Sequence, residues 1–424
     1  MALDHLDTPQ ESTARPDWAL RLIARALKDI EYGQITLIGP SGQRVVVAGR
    51  QPGVEAIWHF RRPWRAILRL LRHGDIGFAE GFISGDWNTP DLQALLRLAT
   101  DNEQALTALA QRPAWQRAVD RMRHWMHRNS RRGSRANIRF HYDLGNDFYD
   151  LWLDHTMSYS SALFTRGDEA LEQAQAQKYA RLLDQLNPEP GAHILEIGCG
   201  WGGFAEMAAQ RGYRVTGVTL SQEQLDYARA RIERAGLSDR VELRLQDYRD
   251  LQGTYDHVVS IEMFEAVGEH WWPTFFDKVR DCLRPGGRAA LQVITIAEQA
   301  FDYYRRNADF IQLYIFPGGM LPSVPRFNKE AERAGLAIED QAFFGEDYAR
   351  TLRHWHREVR QAEPVIEALG YSQSFLRMWR YYLAYCEVGF DTARVNLMQA
   401  VLQSPQPAEG LGAADAPAHT HESL

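Results

Sequence analysis

The stretch Ile194-Leu-Glu-Ile-Gly-Cys-Gly-Trp-Gly-Gly-Phe-Ala205 decides how the rest of the chain is organised. It starts with an apolar run of strand length and passes through closely spaced glycines into a helix-forming segment. Glycine at such a turn lets the backbone approach a ligand closely, and the first turn of the new helix presents free N–H groups. The turn lacks the full GxGxxG spacing of dinucleotide-binding proteins. It predicts a strand–turn–helix unit that holds a small ligand.

The segments after this turn alternate between strand-like and helix-like patterns. We predict strands at residues 194–197, 215–218, 241–245, 257–261 and 289–293, with amphipathic helices at 222–235 and 272–282. Such alternation indicates an α/β fold with a parallel, doubly wound (Rossmann-like) sheet, which binds ligands beyond the carboxyl ends of its strands. The spacing Glu196-x-Gly198-x-Gly200 after a strand resembles the first motif of class I S-adenosylmethionine (SAM) methyltransferases.

Composition narrows the class of protein. The 424 residues are enough for two domains, and the formal net charge of -7 argues against general affinity for nucleic acid. Cys199, Cys282 and Cys386 are far apart and show no metal-ligand spacing, so we predict no metal and a reducing, cytoplasmic compartment. No signal pattern is present at the N-terminus, and no apolar run approaches the ~20 residues of a membrane span. We expect a soluble protein that can still touch a membrane.

Five parts of the chain differ in composition. Residues 1–15 and the tail 404–424 are predicted to be disordered, and 117–140 to be a basic linker. Residues 16–116 are predicted to form a smaller, mostly helical domain, with a hairpin at 35–47, helices at 63–71 and 92–98, and loops at 77–81 and 85–87. Residues 141–403 form the expected catalytic domain. Within it, a Tyr- and Phe-rich insertion (301–321) fits the wall of an acyl-chain site, and a helical C-terminus runs to about residue 402.

The basic linker allows two interpretations. Residues 117–139 contain eight arginines and one acid, Asp120, interleaved with Met122, Trp125 and Met126. A polybasic segment with apolar anchors can lie on anionic lipid headgroups. It can equally be a solvated helix whose apolar residues pack on the neighbouring domains. No nucleic-acid recognition motif accompanies the basic run, so a nucleic-acid partner is not predicted.

Several motifs in one order make a more specific resemblance. Together they resemble the cyclopropane fatty-acyl-phospholipid synthase family, which includes the mycolic acid cyclopropane synthases, over residues 77–402. The motifs are His141-Tyr-Asp-Leu-Gly-Asn-Asp-Phe148, Tyr159-Ser160, Glu196-Ile-Gly-Cys-Gly-Trp-Gly-Gly203, Gly217-Val-Thr-Leu-Ser221, Gln246-Asp-Tyr-Arg-Asp250, Met263-Phe-Glu265 and Tyr314-Ile-Phe-Pro-Gly-Gly-Met-Leu-Pro-Ser323.

The resemblance implies an activity and a setting. It implies SAM-dependent transfer of a methyl or methylene group to the cis double bond of unsaturated acyl chains in membrane phospholipids. The enzyme would be a homodimer, peripherally associated with the inner face of the membrane. An aromatic-rich, buried site would stabilise the cation that the reaction forms on the acyl chain.

The resemblance also implies a cofactor site. The glycine turn would pass under the methionyl and ribose parts of SAM. Most SAM enzymes place an acid at the end of the second strand, whereas this chain has Thr219 there, as this family does. Asp247 and Tyr248 would contact the adenine. The implied set is Tyr159, Ser160, Gly198, Cys199, Gly200, Thr219, Leu220, Gln224, Asp247, Tyr248 and Ile261. Core packing is the alternative for the two tyrosines.

The chain departs from the family where a bound bicarbonate is expected as the base. The family holds bicarbonate with a Cys, a Glu, a His, a Tyr and backbone groups beside a Gly. Here Ser161 stands for the Cys, Gln292 for the His and Glu262 for the Gly, and Ala266 replaces a further His. Glu265 and Tyr348 remain. Bicarbonate is therefore not expected as a cofactor.

Our hypothesis is that the Glu262 carboxylate occupies the bicarbonate position and acts as the general base. Ser161, Gln292 and Tyr348 would hold it by hydrogen bonds. Glu265 would lie close by, and two close carboxylates raise the pKa of one of them, which suits a base. The alternative is that Glu262 points into solvent or caps a helix.

The product stays open at this point. Loss of a proton from the transferred methyl gives a cyclopropane, whereas a hydride shift before proton loss gives a methylene branch that a partner reductase could convert to a methyl branch. Furan-fatty-acid precursors are a further possibility. A catalytically silent lipid-binding subunit is the hypothesis from another class. An unrelated small-molecule or protein methyltransferase is disfavoured by the N-terminal domain and the motif at 314–323.

Overall fold

The computed structural model describes residues 17–110 and 144–406, so the predicted disordered N-terminus, the basic linker and the tail beyond residue 406 lie outside the described residues. The helices are α1 (Trp18–Ala26), α2 (Pro63–Ile83), α3 (Leu92–Asp101), α4 (Glu103–Ala110), α5 (Asn146–Asp150), α6 (Leu171–Leu186), α7 (Gly203–Gln210), α8 (Gln222–Arg234), α9 (Trp272–Cys282), α10 (Glu298–Arg306), α11 (Val324–Arg333), α12 (Gly345–Ala368) and α13 (Gln373–Asp391). The strands are β1 (Tyr32–Ile38), β2 (Arg44–Ala48), β3 (Gln51–Phe60), β4 (Trp87–Asn88), β5 (His193–Ile197), β6 (Arg214–Thr219), β7 (Val241–Leu245), β8 (Tyr255–Ile261), β9 (Leu283–Ile296), β10 (Ala337–Phe343) and β11 (Val395–Gln403).

The catalytic domain is built on a seven-stranded sheet with the order β10-β11-β9-β8-β5-β6-β7. Strands β5 to β9 correspond to the five predicted strands, and they pair in parallel. The α/β doubly wound fold is confirmed. Because β6 and β8 flank β5 on opposite sides, the strand order reverses at β5, and a cleft opens there beyond the carboxyl ends of the strands.

Helices α12 and α13 form most of the predicted helical C-terminus, but the helical prediction is wrong for residues 395–402, which lie in β11. Strand β11 lies between β10 and β9 and runs antiparallel to both, and β10 forms the edge of the sheet. Six consecutive residues of β11, from Leu397 to Leu402, are buried. A strand that is covered on both faces reads as a continuous apolar run, and such a run does not distinguish a strand from a buried helix.

The N-terminal domain combines helices with a four-stranded sheet of order β2-β1-β3-β4. The predicted hairpin corresponds to the antiparallel pair β1–β2, whereas the parallel partner β3 was not predicted. The predicted loop at 77–81 is wrong, since α2 continues through it. A Cβ atom at Gly77 would lie 2.1 Å from the Arg69 carbonyl oxygen, and one at Gly81 would lie 2.7 Å from Nε1 of Trp87. These glycines permit close packing and do not form a turn.

The N-terminal domain packs against α12 and α13 through an apolar core that both domains share. The most deeply buried tryptophans of this core are Trp87 from the first domain and Trp152, Trp355 and Trp379 from the second. Arg377 of α13 donates hydrogen bonds to two carbonyl groups at the end of α2 and in β4. The N-terminal domain is thereby held over the catalytic domain.

Among the described residues, no helix combines the length and the apolar composition that crossing a bilayer requires.

Candidate active site

The glycine turn after β5 is shaped by positive backbone angles. Gly198, Gly200 and Gly202 have φ values of 88°, 50° and 81°. L-residues with a side chain seldom adopt this conformation, so the turn requires glycine. The N–H groups of Gly198 and Cys199 each donate to the carbonyl of Val218 at 3.0 Å, which ties the turn to β6. Helix α7 begins immediately afterwards, and its N-terminus faces the cleft.

A single cavity of about 690 Å³ connects the glycine turn to the N-terminal domain. It passes Glu262, Glu265 and Tyr348 on the way. Of the predicted cofactor residues, ten line it: Tyr159, Ser160, Gly198, Cys199, Gly200, Thr219, Leu220, Gln224, Tyr248 and Ile261. A volume of this size is typical of small-molecule and cofactor sites.

Asp247 is the predicted cofactor residue that does not line this cavity. Its buried carboxylate accepts hydrogen bonds from the backbone N–H and the guanidinium of Arg249. The Arg249 guanidinium also lies 5.0 Å from the ring centroid of Trp271. The chain neighbours of Asp247, which are Gln246 and Tyr248, line the cavity. The structure therefore gives Asp247 a role in holding this loop.

The far end of the cavity is apolar and belongs to the N-terminal domain. Its walls include Ile23, Leu27, Ile67 and Leu95, among other residues of α1 to α3. Aromatic residues of the 301–321 insertion contribute unequally. Tyr303, Tyr304 and Phe316 line the cavity, whereas Phe301, Phe310 and Tyr314 pack elsewhere.

Two buried charged residues near the glycine turn were not among the predicted site residues. Glu196, at the end of β5, lines the cavity, and its Oε2 has no hydrogen-bond partner among the described residues. Burial raises the pKa of Glu196 well above its ordinary value. An orphaned carboxylate oxygen at this position fits the positively charged amino group of SAM. Together with the open glycine turn, it shows that the residues present suit SAM.

Lys178 of α6 is the second of these residues, and it is fully buried. Its Nζ donates to Ser160 Oγ and to Gln175 Oε1, both at 2.6 Å, and lies 4.2 Å from the ring centroid of Tyr179. Burial lowers its pKa to about 8, while the negative charges of Glu262, Asp154 and Glu196 oppose this shift. Its position on a mostly polar helix gave no sequence signal for a buried charge.

Glu262 follows β8 directly and points into the interior. Its Oε1 accepts hydrogen bonds from the backbone N–H of Ser161 at 2.9 Å and from Nε2 of Gln292 at 2.7 Å. Its Oε2 accepts a hydrogen bond from the Tyr348 hydroxyl at 2.5 Å. The structure therefore brings together Glu262 and the three residues that the sequence grouped with it. The Ser161 hydroxyl, however, donates to the carbonyl of Ala162, so Ser161 contributes its backbone N–H alone.

The backbone of Glu262 is strained. Its φ is 50°, in the left-handed region that glycine adopts freely. A non-glycine residue there costs on the order of 1 kcal/mol. The implied family residue at this position is glycine, which the observed conformation suits. The hydrogen bonds of the carboxylate offset the strain of placing a glutamate there.

A relay of hydrogen bonds fixes the direction of the Gln292 amide. Arg181 can only donate, and its Nε donates to Gln399 Oε1 at 3.0 Å. The amide NH₂ of Gln399 must then face Gln292 Oε1, at 2.8 Å. The NH₂ of Gln292 consequently faces Glu262. Sequence reasoning missed Arg181 and Gln399, which reach this network from α6 and β11.

Burial and hydrogen bonding shift the pKa of Glu262 in opposite directions. Burial raises its pKa, while the donors on Tyr348, Gln292 and Ser161 and the charge of Lys178 hold the rise in check. All three hydrogen-bond partners donate, so they favour the ionised carboxylate. A carboxylate whose pKa is raised by burial is a stronger base than an exposed carboxylate.

Glu265 lies in the next turn of the chain and has a different environment. Its Oε1 accepts the backbone N–H of Ile294 at 2.5 Å, and its buried Oε2 has no hydrogen-bond partner among the described residues. Burial and the neighbouring Glu262 raise the pKa of Glu265 to about 8. Glu265 is therefore mostly protonated at neutral pH, beside an ionisable Glu262.

The fold, the glycine turn and the residues around it define a class I SAM-dependent methyltransferase. The crystal structure of the mycolic acid cyclopropane synthase CmaA1 complexed with SAH and CTAB is similar to it. The TM-score is 0.61 at 29% identity, and the match covers 64% of this chain and 98% of that one.

The chain belongs to the mycolic acid cyclopropane synthetase family, whose sequence pattern matches residues 129–400. It is 40% identical over 360 residues to tuberculostearic acid methyltransferase UfaA1 of Mycobacterium tuberculosis, covering 80% of this chain and 82% of that protein. It is 38% identical over 341 residues to the cyclopropane-fatty-acyl-phospholipid synthase of Escherichia coli K12, covering 78% of this chain and 84% of that protein. The resemblance found in the sequence is confirmed, and the protein is a SAM-dependent methyltransferase of this family.

The raised pKa of Glu265 predicts a pH dependence of stability. Between the ordinary pKa of 4.5 and about 8, the folded state binds a proton at Glu265 that the unfolded state lacks, so stability falls as pH rises. Glu265→Gln removes this titration. Thermal unfolding gives the free energy of unfolding of the variant and of the parent at each pH. We expect the variant's value minus the parent's value to rise by about 2 kcal/mol from about pH 6 to about pH 8.5.

Glu269→Gln is the matched control for this measurement, because Glu269 is partly exposed and paired with Arg305. The control should keep the pH dependence of the parent. An identical pH dependence in Glu265→Gln would contradict the assignment of a buried proton to Glu265.

Proposed function

We propose that this enzyme transfers a methyl group from SAM to the cis double bond of unsaturated acyl chains in membrane phospholipids. Glu262 then removes a proton so that a cyclopropane ring closes. The observation that carries the proposal is the buried Glu262 carboxylate, which lines the cavity between the glycine turn and the apolar far end. Bicarbonate is not used in this proposal, since the Glu262 side chain takes its part.

The cofactor would be held by the glycine turn, Glu196, Ser160 and the Thr219–Gln224 pair. Thr219 donates to Gln224 Oε1 at 2.9 Å, and this bond fixes the two side chains at the end of β6. SAM, when bound, supplies an electrophilic methyl group, and its transfer to the alkene leaves a carbocation on the acyl chain. The glycine turn and the hydrogen bonds from Lys178 to Ser160 and Gln175 fix the shape of the cofactor end of the cavity.

Glu262 takes the proton from the methyl group that has been transferred. The C–H electron pair then closes the three-membered ring, and the proton goes to a Glu262 oxygen. Tyr348 and Gln292 hold the carboxylate rigidly, so that little reorganisation accompanies the step. Glu265, protonated beside it, adds no second negative charge to the buried site.

The cavity supports a lipid substrate. It continues from Glu262 into the N-terminal domain, where the walls are mostly apolar and a polar substrate would leave most of its hydrogen bonds unmade. An acyl chain of a phospholipid would fill this end and leave its headgroup outside. The proposed enzyme is cytoplasmic, associates peripherally with the inner face of the membrane and forms the homodimer that the resemblance implies.

A methyl-branched product is the second candidate. One similar protein is named for methyl transfer, the tuberculostearic acid methyltransferase, and another for ring formation. In this candidate a hydride shift precedes proton loss, Glu262 still removes the proton, and a reductase partner completes the branch. Separating ring from methylene by gas chromatography of the fatty acids distinguishes the two.

We do not propose a catalytically silent lipid-binding subunit, because the chain belongs to a family of methyltransferases. The intact glycine turn, the orphaned Glu196 oxygen and the fully hydrogen-bonded Glu262 favour an enzyme. Tight SAM binding without turnover on any unsaturated phospholipid would favour the subunit.

Replacing the base tests the proposed function. Glu262→Gln keeps the shape of the side chain but removes its basicity. We expect product formation from dioleoyl phosphatidylglycerol vesicles to fall by about 100-fold or more, with SAM affinity nearly unchanged. Mass spectrometry of the fatty acids measures the product, and Glu269→Gln serves as the matched control. Activity of Glu262→Gln within about threefold of the parent would sink the assignment.

Chemical rescue separates loss of the base from loss of structure. Glu262→Gly relieves the backbone strain and opens the space of the side chain. We expect this variant to be inactive in bicarbonate-free buffer and to regain part of its activity when bicarbonate or acetate is added. The parent should not respond to either anion.

The positive charge of Lys178 should be visible in the pH dependence of catalysis. That charge lowers the pKa of Glu262, so Lys178→Met should raise the pKa of Glu262 and move the acidic limb of the pH–rate profile to higher pH. Lys278→Met is the matched control, because Lys278 is partly exposed and donates to the Leu251 carbonyl. An unchanged acidic limb in Lys178→Met would contradict this electrostatic coupling.

A further inference from the structure

The outer faces of α1 and α2 carry an exposed apolar surface at the edge of the active-site cavity. Five large apolar side chains are exposed there: Trp18 (63%), Leu22 (39%), Trp64 (43%), Leu68 (48%) and Leu71 (62%). Their spacing places the first two on one face of α1 and the other three on one face of α2. The rings of Trp18 and Trp64 stack with centroids 4.8 Å apart, which joins the two faces. We call these five residues the α1–α2 patch.

The surroundings of the α1–α2 patch are basic. Helix α1 and the first ten residues of α2 contain arginines and no acid. Three arginines at the start of α2 pair with the buried Asp86: Arg62 at 3.3 Å, Arg65 at 3.8 Å and Arg69 at 2.8 Å. Three exposed arginines have no carboxylate within ion-pair distance among the described residues: Arg25, Arg61 and Arg72. The patch therefore offers apolar surface and uncompensated positive charge side by side.

The cavity of the active site reaches the surface at this patch. Leu22, Ala26 and Leu71 are exposed and also line the cavity. Behind them, Ile23 and Ile67 continue the apolar wall inward. An acyl chain that enters between α1 and α2 would pass from the surface to Glu262 along apolar side chains.

We propose that the α1–α2 patch docks on the surface of an anionic phospholipid bilayer and that the acyl chain enters the cavity between α1 and α2. The two indoles lie at the level of the headgroups, and the arginines bind the phosphates. The substrate part rests on the proposed function, whereas docking itself needs no turnover.

A bilayer fits this surface better than a second copy of the chain. A two-fold interface would bring the same uncompensated arginines of both copies face to face, whereas anionic headgroups neutralise them. Apolar insertion combined with a basic region is the pair of signals that holds a peripheral protein on anionic lipid. An exposed apolar area that adjoins the mouth of a lipid-sized cavity points to the same partner.

Vesicle binding by the full-length protein tests the inference. Trp64→Glu/Leu68→Glu replaces two apolar side chains of the patch with negatively charged ones, and neither residue lines the cavity. We expect about tenfold or greater loss of affinity for dioleoyl phosphatidylglycerol vesicles in co-sedimentation, with SAM affinity unchanged. The parent should bind dioleoyl phosphatidylcholine vesicles more weakly, and salt should weaken its binding to the anionic vesicles.

The matched control is Val365→Glu/Leu369→Glu, which changes two apolar residues that are 50% and 48% exposed at the end of α12. It should bind anionic vesicles as the parent does. The proposal would be overturned if Trp64→Glu/Leu68→Glu bound vesicles as the parent does. It would also be overturned if this variant dissociated a dimer of the parent while vesicle binding persisted. A parent that binds vesicles through the patch but forms no product would refute the proposed acyl-chain substrate and leave docking intact.

Discussion

The buried carboxylate of Glu262 is the constraint on which the rest of the site depends. It occupies a left-handed backbone position, where glycine would be unstrained, and it is held by donors from three separate segments of the chain. The donor on Gln292 is aimed by a relay that starts at the Arg181 cation. A buried carboxylate with this degree of support is ordered and ionisable, and both properties are what a general base requires.

The negative charge of Glu262 is balanced by the nearby Lys178 cation without a direct ion pair between them. Lys178 is buried without touching Glu262, yet its charge favours the ionised carboxylate. Burial and the negative charge of Glu262 raise the pKa of Glu265 to about 8, so Glu265 keeps its proton near neutral pH. A direct ion pair would lower the pKa of Glu262 and weaken it as a base. The arrangement leaves Glu262 the group most suited to exchanging a proton.

The sequence predicted the parts of the fold that have a local signal. Alternating patterns located β5 to β9, and the glycine turn located the cofactor end of the cavity. The same signals failed at β11, where burial on both faces removes the alternation, and at Gly77, which serves close helix packing instead of a turn. The grouping around Glu262 was predicted from departures within family motifs. Gln399 was missed because its contact with Gln292, more than 100 positions away, leaves no local pattern. Lys178 was missed because it lies on a mostly polar helix, where nothing marks a buried charge.

The most direct test of the account follows the hydrogens of the transferred methyl group. The parent enzyme is incubated in bicarbonate-free buffer with SAM carrying a trideuterated methyl and vesicles of dioleoyl phosphatidylglycerol, and the fatty acids are analysed by mass spectrometry. The account predicts a product with one added carbon that retains two deuteriums, since Glu262 removes the third. A product that retains three deuteriums, or one that forms only after bicarbonate is added, would contradict it.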